Sequence, residues 1–67
     1  MERQKNTSDW RERVKADAKK IDLSIAQVAR RAGYEPASVY HVLNGRAEPS
    51  IQMMMLIDDI IDKELNR

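Results

Sequence analysis

His41 is the only imidazole in the 67-residue chain, and there are no cysteines. One histidine without thiolates gives neither a transition-metal site nor a disulfide framework. Asp58, Asp59, Asp62 and Glu64 are the other group with acid–base potential, but they share one helical stretch and read as a solvated face. No nucleophile stands beside a base, and there is no glycine-rich phosphate loop and no carboxylate pair in a plausible pocket. The pattern predicts a protein that is not an enzyme and uses no cofactor, metal or evident small-molecule ligand. What remains is hydrogen-bonding chemistry. Tyr40, His41 and Asn44 fall on the outer side of one short segment, beside Pro36 and Ala37.

That segment belongs to the stretch from Val28 to Gly45, which reads as two short helices joined by a tight turn at Gly33. Ala29 and Ala32 put small residues where two helices cross closely, and Val39, Val42 and Leu43 face inward on the second. Gly33 supplies the backbone freedom of the turn. Pro36 suits the first position of a new helix, and Gly45 suits the position just past its end. A short glycine-containing turn between two steeply crossing helices is the helix-turn-helix geometry of DNA-reading proteins.

The flanking elements support this unit. Thr7 or Ser8 is placed to cap a first helix, with Asp9 in its first turn and Glu12 at capping-box spacing. Trp10, Val14, Ala18 and Ile21 recur at helical period, so this helix runs to about Lys20, with Arg11, Arg13, Lys15, Lys19 and Lys20 on its other face, read as solvated or with one or two of them touching DNA backbone. Ser24 caps a second helix over Ile25–Ala32, with Gln27 three residues on. Gln27, Arg30 and Arg31 are its exposed residues. The third helix runs from about Pro36 to Leu43 or Asn44. Ser50 caps the last, which runs from Ile51 to about Leu65. Ile51, Met54, Ile57 (or Met55), Ile61 and Leu65 suffice to cover a core. Met53, Leu56 and Ile60 form a second stripe, either further core or a dimer seam.

One small domain with one core fits this length. No apolar run reaches the ~18–20 residues of a membrane span, so no membrane partner is expected. Together with the absence of cysteine this implies a cytoplasmic, reducing location. The net charge of +1 hides an asymmetry. Residues 1–46 carry ten Lys/Arg against six Asp/Glu, and residues 47–67 two against five. A basic front and an acidic back suit a module that approaches a polyanion with one face.

With these residues in view, positions 23–61 resemble the helix-turn-helix domain of lambda-repressor-like (XRE-type) transcriptional regulators of phages and bacteria. The string Val28-Ala29-x-x-Ala32-Gly33, then Ser38-Val39-x-x-Val42-Leu43-Asn44-Gly45, matches in spacing, and Pro49-Ser50-Ile51 resembles the start of that family's fourth helix. The centre is also similar to the DNA-reading headpiece of the lactose-repressor family, but a whole helix precedes the motif here. The resemblance implies that Pro36, Ala37 and His41 reach base edges in the major groove. It also implies that Asn44, Arg46 and the helix start at Ser24 and Ile25 hold phosphates. The sequence departs from the pattern. Pro36 and Ala37 cannot make bidentate contacts to bases, Ile25 replaces a polar residue, and Glu35 is negative where phosphate is expected. Polar readout then rests on Ser38, Tyr40, His41 and Asn44, with Ala37 available for a thymine methyl.

The expected fold is all-α: a compact four- to five-helix lambda-repressor-like domain over residues 8–67, the fifth helix arising if the last one breaks near Asp58. A flexible tail covers residues 1–7. The expected partner is double-stranded DNA, bound in the nucleoid by a homodimer paired through Met53, Leu56 and Ile60. The rival is a helix-turn-helix module that binds protein, such as an antitoxin or an anti-repressor partner.

Overall fold

The computed structural model describes residues 7–67, and these fold into four α-helices: α1 (Thr7–Lys20), α2 (Ile25–Ala32), α3 (Pro36–Leu43) and α4 (Ile51–Leu65). The expected tail lies outside the described residues except for Thr7. Thr7 and Ser8 lie inside α1 rather than ahead of it. The last helix runs unbroken past Asp58, so the fifth helix does not form. Among the described residues no helix is long and apolar enough to cross a membrane.

Each inner boundary has a local cause. At the start of α2 the Ser24 hydroxyl oxygen accepts from the Gln27 backbone N–H at 3.1 Å. The Gln27 side chain in turn accepts from the Ser24 N–H at 2.9 Å, closing a capping box. Gly33 ends the helix at φ +86°. There Gly33 N–H donates to the Arg30 carbonyl and Tyr34 N–H reaches back to that of Ala29, which is the Schellman arrangement. The end of α3 repeats it. Gly45 at φ +82° donates to Val42, and Arg46 N–H to His41 at 2.8 Å. Ser50 caps α4 by accepting from Met53 N–H at 3.0 Å.

The core takes Trp10, Val14 and Ala18 from α1, Val28 and Ala29 from α2, Val39, Val42 and Leu43 from α3, and Met53, Ile57 and Ile61 from α4. Burying one of the larger of these fully is worth about 1.5–3 kcal/mol. Polar contacts also fasten the helices to one another. Trp10 Nε1 donates to Asp58 Oδ1 at 2.9 Å, tying α1 to α4. Arg31 Nη1 meets Glu64 Oε2 at 3.0 Å, tying α2 to α4. Hydrogen bonding from Arg31, then from Arg67, holds the Glu64 carboxyl below its ordinary value. That clamp is complete above the ordinary glutamate range and is lost as pH falls through the lowered value.

Three expectations from the sequence need correction. Arg11 is not on a wet face: it is only 9% exposed. Its Nε donates to the Val42 carbonyl oxygen at 2.6 Å, and Nη2 donates to the Ala47 carbonyl at 3.1 Å and to Glu48 Oε2 at 3.2 Å. A buried guanidinium needs such partners, and periodicity cannot reveal carbonyls thirty residues away. Met53 is core at 8% exposed, so the expected stripe loses its first member. Conversely Ile51 at 73% and Leu65 at 44% stand in solvent, because they lie on the first and last residues of α4 and overhang the core.

Candidate nucleic-acid interface

α3 buries one side and offers the other. Val39, Val42 and Leu43 face the core, whereas Ala37, Ser38, Tyr40, His41 and Asn44 are exposed and Pro36 is half-buried. Tyr40 and His41 lie three and four positions beyond Ala37, so both neighbour it on one face, and Asn44 extends that face by a turn. Tyr40 does not fold back onto its neighbours: it is 44% exposed. Asn44 is the C-cap residue, and its backbone N–H donates to the Tyr40 carbonyl at 2.9 Å. No side-chain hydrogen bond engages Ser38, Tyr40, His41 or Asn44 among the described residues, which leaves their polar atoms available to a ligand.

The start of α3 is bare. Its N-cap, Glu35, makes no side-chain cap bond, and Pro36 has no N–H to offer. The start of α2 is different. Ser24 is exposed and Ile25 half-buried, but the Ser24 N–H and hydroxyl oxygen are already engaged in the capping box. An anion arriving there meets the backbone N–H groups of Ile25 and Ala26, not the Ser24 amide. Ile25 also packs against the core, which accounts for an apolar residue at that position.

Two exposed cations lie elsewhere on the motif. Arg46 is exposed just beyond α3, and Arg30 is exposed on α2. Among the described residues neither forms an ion pair, whereas Arg31, the neighbour of Arg30, is committed to Glu64. Sequence reasoning treated Arg30 and Arg31 alike. Only the packing of α2 on α4 separates them. Glu35, exposed at the entrance of α3, opposes these charges.

On the remaining surface there is no cluster of His, Cys, Asp and Glu suited to a metal among the described residues. The acidic face of α4 is less uniform than expected, since Asp58 binds Trp10 and Arg13. A shallow groove there is lined by Met55, Leu56, Asp58, Asp59 and Asp62.

A family model described as a helix-turn-helix domain matches residues 8–62, most of the chain. The chain belongs to that helix-turn-helix family. Its four helices, with α2 and α3 joined across Gly33–Glu35, follow the lambda-repressor-like order in which a complete helix precedes the motif. No curated protein and no solved structure matches the chain. As a helix-turn-helix domain it has its second motif helix, α3, placed as the helix that such modules set in the major groove.

Proposed function

We propose that the protein is a DNA-binding transcriptional regulator, a small repressor of the phage or prophage type that occupies a palindromic operator as a homodimer. The observation that carries this reading is the outer face of α3, where Ala37, Tyr40, His41 and Asn44 are exposed together, with Arg30 on α2 and Arg46 just beyond α3 exposed and without an ion pair among the described residues. α3 enters the major groove, and Ser38, Tyr40 and His41 supply polar contacts to base edges. Asn44, Arg46 and the start of α2 at Ser24 and Ile25 set the register on phosphates, the last through free backbone N–H groups. Repression needs no chemistry beyond occupancy.

The pairing contact lies on α4. With Met53 in the core, the seam consists of Leu56 and half-buried Ile60, with Met55, 66% exposed, beside Leu56. Two copies joined there would place their α3 helices about one DNA turn apart, ~34 Å.

The deciding experiment is duplex binding across a salt series, with sedimentation of the free protein in parallel. The reading expects affinity to fall steeply as salt rises, with a slope set by the phosphates neutralised. It expects Leu56→Glu to give a folded monomer with weakened operator binding. Exposed Glu35 and the absence of a long polar side chain at positions 36 and 37 favour the rival, a protein-binding module. Failure to bind any duplex at low salt would establish that rival in place of the regulator.

A further inference from the structure

The first turn of α3 carries an unusual surface for a helix set in a groove full of hydrogen-bonding groups. Pro36 presents a half-buried ring, Ala37 an exposed methyl, and neither side chain has a donor or acceptor. Across all of α3, Pro36–Leu43, there is no lysine, arginine, glutamine or asparagine. The side chains that read guanine and adenine bidentately are therefore missing from the helix itself. One base offers something an apolar surface can hold. Thymine projects a C5-methyl group into the major groove, and alanine is among the side chains that contact it.

We propose that α3 selects thymine by its C5-methyl group, packed against the Pro36–Ala37 surface. The proposal rests on the reading of the domain as a duplex-DNA binder and specifies what that binder prefers. His41 sits one turn beyond Ala37 on the same face, about 6 Å further along the helix axis. The polar contact from His41 thus falls roughly two base steps from the methyl contact, at 3.4 Å per step. Each half-site carries a thymine under the helix start and a hydrogen-bonded base edge roughly two steps away. Glu35 repels phosphate at this end, so the helix start gains its contact from the base rather than from the backbone.

The test uses the full chain and the duplex it selects from a random pool. Each thymine of that duplex is replaced singly by deoxyuridine, which removes the methyl and leaves every hydrogen-bonding atom in place. One position per half-site is expected to lose about four-fold in affinity, the equivalent of one buried methyl group. Ala37→Ser keeps a small exposed residue on the helix. It should retain the wild-type circular dichroism and lower the thymine-to-uracil ratio. Ala37→Gln should move the preference at that position toward adenine. If the protein binds its selected duplex tightly and no deoxyuridine replacement changes affinity, the thymine inference is overturned and the duplex-binding reading stands. If no duplex binds at low salt, both are overturned.

Discussion

Helices α2 and α3 have the same length, eight residues each, and each is followed by a positive-φ glycine that closes a Schellman turn. They are fastened differently. α2 is secured at its start by the Ser24–Gln27 capping box and along its side by Arg31 on Glu64. α3 has no side-chain cap at its start and is held at its far end, where Arg11 donates to the Val42 carbonyl and to the loop that follows. α2 carries its own cap, whereas α3 is held by a residue from α1. The start of α3 carries no side-chain cap, and its anchoring lies at the other end.

The largest test of this contrast is Arg11→Met. It leaves the Val42 and Ala47 carbonyls without their charged donor and should cost roughly 2–3 kcal/mol, read as a lower urea midpoint. Native-state hydrogen exchange should accelerate more in α3 than in α2; equal acceleration in both would break the distinction. Gly33→Ala acts on the joint between the two helices. Nothing crowds an added Cβ there, so the cost is the left-handed backbone alone, about 1–2 kcal/mol by thermal melting. The smallest effect should come from Ser24→Ala, about 1 kcal/mol, confined to α2. It should leave the deoxyuridine discrimination assigned to α3 unchanged, and a loss of that discrimination would mean that the two helices are not independently held.

Most of the fold was legible from local signals, because its boundaries are set by local chemistry. Ser24 with Gln27, Gly33, Pro36, Gly45 and Ser50 each act within four residues of themselves, and the helices begin and end where these residues place them. Arg11 was not legible. It is one of five cations along α1, and only the return of the chain at Val42 and Ala47 makes it interior. α4 misled for another reason. Nearly every residue from Ile51 to Ile57 is apolar, so any rotation of the helix gives a passable stripe, and packing alone chose Met53 over Ile51. Within the candidate interface, the exposure of positions 37, 38, 40, 41 and 44 followed from the period of α3. The separation of Arg30 from Arg31 depended on Glu64, thirty-odd residues on.

Trp10 lends the molecule an optical handle. It is the only tryptophan in the chain, it is 6% exposed, and its indole N–H is bonded to Asp58. Its emission therefore reports one place, the α1–α4 contact. Fluorescence from this ring follows unfolding of every variant above without an added label. A change on adding DNA would reveal that occupancy of α3 is felt across the core.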